Sequence, residues 1–397
     1  MLQLPIYLDN NATTRCDDRV VEAMLPYFTR HYGNAASNNH SFGWEAEEAV
    51  NNAREQVAAL IAAEPGEIVF TSGATEAVNL AIKGVFESYA SKGNHIITCA
   101  IEHKAVLDTC KHLEKNGADV TYLPVNRMGS IEVNDLEAAI KPSTILIAIM
   151  FANNEIGTIM PVKQISEVAR KNGILFFSDG TQAAGKIPVD VNNDAIDLFA
   201  FSSHKLYGPK GVGALYVRRK QPRVKLVAQI DGGGHEKGIR SGTLNVPGIV
   251  GFGKACQLCL QQMIEDSARV RELRDKLEIG LSSKEIVING DKEHRLPNVS
   301  NISFRNVPGQ ALLRSITKRI AVSSGSACTS ATPEPSHVLA AIGVNDELAQ
   351  SSIRFSLGRF TTKEEIDFTI KEVKEKLSEI KDHLSAVTGN IIHDSIK

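Results

Sequence analysis

Asp197-Leu198-Phe199-Ala200-Phe201-Ser202-Ser203-His204-Lys205 is the stretch from which the rest of the chain can be read. Four of the five residues from Asp197 to Phe201 are apolar, the pattern of a strand buried on both faces, and a polar cluster with one lysine follows. Lys205 therefore stands where a strand stops and a loop begins. In open α/β sheets ligands bind in the crevice outside the carboxyl ends of the strands, which makes a lone lysine there a candidate for covalent chemistry. Taken alone, it is equally an exposed lysine that ends a strand.

A second apolar strand, Ile174-Leu175-Phe176-Phe177-Ser178-Asp179, ends in a carboxylate 26 residues upstream of Lys205. Neighbouring strands ending in Asp and Lys match the needs of pyridoxal phosphate: an amine for its aldehyde and an acid for its pyridinium nitrogen. Gln182 lies on the same loop as Asp179, within reach of the phenolic oxygen of such a ring.

The chain has 397 residues, 43% of them hydrophobic and 23% charged, enough for a large domain and a smaller companion. A net charge of −2 gives no reason to expect a nucleic-acid partner. There is no signal-peptide pattern and no apolar run of the ~18 residues that a membrane span requires. A soluble, cytoplasmic protein is expected. Six scattered cysteines are unlike a disulfide framework.

Strand and helix patterns alternate from Ile68 to Val217, which implies a mostly parallel sheet covered on both faces. Thr71-Ser72-Gly73-Ala74-Thr75-Glu76 joins a strand to a helix predicted from Ala77 to about Tyr89. Its hydroxyls and N–H groups suit a phosphate, or a simple helix cap. Glu102-His103 and Asn153-Asn154-Glu155 also follow strand ends. Gly232 to Thr243 is polar and Gly-rich without a nucleotide-binding spacing, and reads as a flexible surface loop. Cys256 and Cys259 sit inside a helical pattern predicted from Gly251 to about Leu281 and read as core rather than as a redox or zinc pair. The last hundred residues form a smaller α+β unit, with a final amphipathic helix over 363–383. The apolar-spotted tail 386–397 is either a frayed terminus or a docking segment.

Ser323 to Pro335 is built almost entirely of small residues around one thiol, Cys328, either a candidate nucleophile or an incidental surface thiol. With this stretch, the Asp179/Gln182 and Ser202/His204/Lys205 clusters together resemble the cysteine desulfurases of the IscS/NifS class, within the class-V aminotransferase family of pyridoxal-phosphate enzymes. Tyr7–Thr14, Thr71–Glu76, Glu102–Val106, Asn153–Gly157, Arg240–Thr243 and Ile353–Phe360 match in the same order, so the resemblance runs from Ile6 to about Glu379.

The resemblance implies the type I fold of these transferases, with a seven-stranded, mostly parallel sheet in a large domain over 14–258 and a small domain over 1–13 and 259–397. It implies Lys205 as the Schiff-base lysine, Asp179 at the pyridinium nitrogen, Gln182 at the ring oxygen, His103 stacked on the ring and Asn154 touching cofactor and substrate. Ala74, Thr75, Ser202 and His204 would hold the phosphate, with Thr243 supplied by the second subunit of a homodimer. Arg354 would pair with the substrate carboxylate. L-cysteine would yield L-alanine, with the sulfur carried as a persulfide on Cys328 and passed to an iron–sulfur scaffold or another acceptor. No resident metal is expected, although Cys328 could ligate an iron–sulfur cluster transiently with a scaffold partner. Were Cys328 not the acceptor, Cys99 or Cys110 would be next. Competing expectations are an aminotransferase, a selenocysteine lyase and a non-catalytic sulfur carrier. The chain departs from the resemblance at Gly180, commonly Ala, at the apolar pair Ala77-Val78, and in the tail after Leu384.

Overall fold

The computed structural model describes residues 2–324 and 336–394, with side chains to Leu384. Cys328 and most of its small-residue stretch lie outside the described residues, as do the side chains of the tail.

Seven strands form the central sheet: β1 (Ile68–Thr71), β2 (His95–Cys99), β3 (Asp119–Leu123), β4 (Thr144–Ala148), β5 (Leu175–Asp179), β6 (Leu198–Ser202) and β7 (Gly213–Val217). Their order is β1-β7-β6-β5-β4-β2-β3, and only β7 runs antiparallel to its neighbours. The apolar runs are explained by burial on both faces. Phe176, Phe199 and Phe201 join one core with helix α1 (Ser41–Leu60), while Leu175, Phe177, Leu198 and Ala200 join another under helix α2 (Ala74–Ser88). Ala77 and Val78 are fully buried in this second core, which accounts for their apolar character.

The helix predicted from Ala77 begins three residues earlier, at Ala74. Gly73 there has φ +155, a turn open to glycine, and no side chain caps the helix. Helix α3 (Lys104–Glu114) follows β2 and is capped by His103. The sequence of strands reverses direction across the sheet between β2 and β4, and at such a switch point a crevice opens outside the strand ends.

Helix α4 is one continuous element, Val246–Leu281, starting earlier than expected because Asn245 caps it by accepting the N–H of Gly248. Val246, Ile249, Phe252, Cys256 and Cys259 pack in the large core, whereas Val270, Leu273, Leu277 and Leu281 pack in a separate one. Cys256 and Cys259 are both buried, as expected of core residues. The second core backs a four-stranded antiparallel sheet of β8 (Ile286–Asn289), β9 (Val299–Phe304), β10 (Ser323–Ser324) and β11 (Ser352–Ser356) in the order β10-β11-β9-β8. Helix α5 runs over Lys363–Asp394, continuing past the predicted end at His383. The Gly-rich segment is anchored rather than free. Glu236 is buried against Arg54 at 2.6 Å and Arg240 pairs with Glu76 at 2.7 Å.

Candidate active site

The crevice is a cavity of about 710 Å³ at the carboxyl ends of β2, β4, β5 and β6. Ten expected site residues line it: His103 after β2, Asn154 after β4, Asp179 and Gln182 at the end of β5, Ser202, His204 and Lys205 at the end of β6, Ala74 and Thr75 on the first turn of α2, and Arg354 on β11. Asp179 and Ala200 are register partners, which fixes how the two strand ends carrying acid and amine lie side by side. Thr243 is exposed and does not line the cavity of its own chain.

Lys205 Nζ donates to the carbonyls of Asn11 and Ala12, each at 2.6 Å. Burial, with Arg354 adding to it, brings its amine down to about 8, while Asp9 and Asp179 oppose the shift. His204, held at 3.1 Å from Thr13 Oγ1, is pushed to about 4 by burial and then by Lys205, so its ring is neutral at physiological pH. His103 Nδ1 accepts the N–H of Ala105 at 3.1 Å, which leaves Nε2 as its proton-bearing nitrogen in the neutral ring. Arg354 donates through Nη1 to the carbonyl of Asn154 at 3.2 Å and through Nη2 to Asp9 Oδ1 and Ser323 Oγ at 2.7 and 2.9 Å.

Both ends of the segment that carries Cys328 are tied to this cavity. Before it, Ser323 bonds Asp9 and Arg354. After it, Ser336 Oγ donates to Glu155 Oε2 at 2.5 Å, and His337 Nε2 lies 3.0 Å from the carbonyl of Glu102, next to His103. Cys99 and Cys110 are fully buried, and burial drives the Cys110 thiol up to about 12 and that of Cys99 well above its ordinary value. Neither is a ready sulfur nucleophile.

The description "Aminotransferase class-V" matches residues 6–368. The chain belongs to the class-V aminotransferase family. Within that family it is 56% identical, over 96% of its own length and 95% of the relative's, to the cysteine desulfurase IscS of Pectobacterium carotovorum subsp. carotovorum (strain PC1). A solved NifS-like protein superposes with a TM-score of 0.88 at 41% identity, covering 94% of this chain and all of the other. A structure titled SspA in complex with cysteine gives a TM-score of 0.79 at 37% identity, covering 90% of this chain and 100% of that one.

One residue that the motifs did not single out is the hub of the site. The Asn11 carbonyl accepts from Lys205 and from Gln182 Nε2, its Nδ2 donates to the Asn154 carbonyl at 2.9 Å, and its backbone N–H donates to Ser356 Oγ at 2.9 Å. The polar cluster Asp9–Thr14 was visible as a turn. Its partners lie 143 to 345 residues away, beyond any local pattern.

Gly180 also finds its reason. A Cβ there would lie 1.7 Å from Phe199 Cζ, so the ring occupies the space an alanine would need.

Proposed function

We infer that the chain is a pyridoxal-phosphate-dependent cysteine desulfurase, taking L-cysteine to L-alanine and passing the sulfur through Cys328 to acceptor proteins. The observation that carries this is the convergence of Lys205, Asp179 and Arg354 on one cavity at the sheet's switch point. The residues present suit the cofactor. The 15-residue helix α2 opens onto the cavity with no side-chain cap, so its first N–H groups are available to an anion. When bound, pyridoxal phosphate supplies a reactive aldehyde and a ring that accepts electrons.

Lys205, its amine near 8, is partly neutral at physiological pH and is able to bond the aldehyde and later to take the Cα proton of the substrate. Asp179 would hold a proton at the ring nitrogen, and Gln182 would donate to the ring oxygen. Ala74 and Thr75 on α2, with Ser202 and His204, would hold the phosphate. His103 and Asn154 also line the cavity, where His103 would stack on the ring and Asn154 would touch both cofactor and substrate. Arg354, which lines the same cavity, would bind the substrate carboxylate. The Cys328 thiolate attacks the substrate sulfur, the Cβ–S bond breaks with its electron pair left on carbon, and that carbon takes up a proton, so alanine leaves and Cys328 keeps the sulfur as a persulfide.

Thr243 completes the phosphate site of a second subunit in a homodimer, a role supported by its exposure outside the cavity of its own chain. The separate cores served by α4 support a large domain over 14–258 and a small one over 1–13 and 259–397. Among the described residues no helix is long and apolar enough to cross a membrane. We place the enzyme in the cytoplasm, with an iron–sulfur scaffold among its acceptors.

The test is to incubate the holoenzyme with L-cysteine and quantify alanine and protein-bound sulfane sulfur. Equal amounts are expected. A keto acid in place of alanine would mean transamination. Cys328→Ser is expected to bind cofactor normally and to lose more than ~100-fold in sulfur release, the loss typical of a missing nucleophile.

A further inference from the structure

Behind Gln182 lies a buried amine that this scheme leaves without a task. Lys186 is 7% exposed, and its Nζ donates to Gln182 Oε1 at 2.5 Å and to Asn11 Oδ1 at 3.3 Å. Asn298 Nδ2 donates to the same Asn11 oxygen at 2.9 Å. The Lys186 carbonyl accepts from Ser267 on α4 at 2.5 Å, which ties its backbone to that helix. Among the described residues no carboxylate lies within ion-pairing distance of Nζ. Burying an unpaired lysine is costly; burial, then Lys205 and Arg354, hold its pKa well below the ordinary lysine value.

What the amine achieves follows from the shape of its partner. The two ends of a glutamine amide are nearly equal in size and opposite in hydrogen bonding. Here both ends are specified: Oε1 meets a donor, Lys186 Nζ, and Nε2 meets a carbonyl, Asn11 O, at 3.0 Å. Rotated by half a turn, the amide would oppose its oxygen to the Asn11 carbonyl. Held as it is, Nε2 keeps a second hydrogen for the cavity that Gln182 lines.

We propose that Lys186 is a positioning residue that locks the Gln182 amide with its NH2 group toward the cavity, so that an N–H donor faces the ring oxygen of the cofactor. The proposal rests on pyridoxal phosphate occupying this cavity, as inferred above.

The experiment titrates apoprotein with pyridoxal phosphate and records the dissociation constant and the absorption maximum for the native chain, Gln182→Ala, Lys186→Met and the double variant. Each single change is expected to weaken binding about five- to tenfold, the equivalent of one lost hydrogen bond, and to move the maximum in the same direction. The double variant should be within twofold of Gln182→Ala. If Gln182→Ala costs as much in the Lys186→Met background as in the native chain, Lys186 does not act through Gln182 and the proposal falls. Should Lys186→Met fail to fold, Lys186→Gln keeps an N–H donor and is expected within twofold of native affinity. A tenfold loss in that folded variant would equally overturn the proposal. A native chain that bound no pyridoxal phosphate would instead sink the functional assignment. Native binding with an unaffected Lys186→Met would sink only the role of Lys186.

Discussion

The Asp9 carboxylate lies 2.7 Å from Nη2 of Arg354, and Ser323 Oγ accepts the other hydrogen of that nitrogen at 2.9 Å. A carboxylate grips a guanidinium with two hydrogen bonds through Nε and Nη2 or through Nη1 and Nη2. Either fork needs Nη2. A substrate that pairs with Arg354 in this way must therefore take it from Asp9 or Ser323. Asp9→Asn keeps an acceptor oxygen that holds the guanidinium in place but removes the charge that competes with the substrate. Its KM for L-cysteine should fall about fivefold, near 1 kcal/mol, with kcat little changed. Steady-state kinetics check this, and a raised KM would mean that Asp9 serves the substrate by orienting Arg354.

Lys205 should make cofactor capture depend on pH. Its amine is brought to about 8, first by burial and then by Arg354, so the reactive neutral form grows as pH rises through that value. The rate at which apoprotein takes up pyridoxal phosphate, followed by visible absorbance, should climb between about pH 7 and 9 and then level off. A rate still climbing steeply above pH 10 would indicate an ordinary lysine. Lys205→Ala should neither develop the absorbance of the native holoenzyme nor turn over L-cysteine.

The strength of the sequence patterns varied with how local their cause was. The runs Ile174–Asp179 and Asp197–Phe201 betray the sheet because each strand is covered on both faces, and a strand end is also where the site must be. Gly73 and Ala74 were harder to place, since small residues fit both a turn and a first helical turn. The helix at Asp18–Met24 and the short strand at Ser323–Ser324 carry too few residues to show a period. Asn11 and Lys186 leave no mark in the sequence for a different reason. Each acts through partners brought together only by the closed fold, and nothing in Asn-Asn-Ala or Ala-Gly-Lys marks a hub or a buried amine.

Gly180 and Phe199 form a matched pair whose removal should be measurable. An alanine at 180 would set its Cβ 1.7 Å from the Phe199 ring, which is itself fully buried and stands edge-on to Phe151 at 6.3 Å. Overpacking of this kind costs roughly 1–3 kcal/mol, so Gly180→Ala should lower the urea midpoint and loosen the neighbouring Asp179. Gly180→Ala with Phe199→Leu should recover most of the loss. Independent, additive losses in the double variant would show that the ring is not the obstacle.

Glu102 sets the response of stability to pH from beneath the site. It is fully buried, its Oε1 accepts the N–H of Met150 at 2.6 Å, and its Oε2 has no partner among the described residues. Burial raises its carboxyl to about 8, and the charge of Asp179 adds to the rise. In the unfolded chain the same group ionises near its ordinary value of 4.5. Between those two values the folded state binds the extra proton, so this residue's contribution to stability falls as pH rises from about 4.5 to 8. Glutamine cannot ionise and still offers an oxygen to the Met150 N–H. Glu102→Gln should therefore gain stability relative to the native chain on going from pH 5 to pH 8, by on the order of 3 kcal/mol. Urea unfolding of both apoproteins at the two pH values measures the difference. A gap that stays constant with pH would mean that Glu102 is already ionised in the folded protein, its charge met by water reaching Oε2.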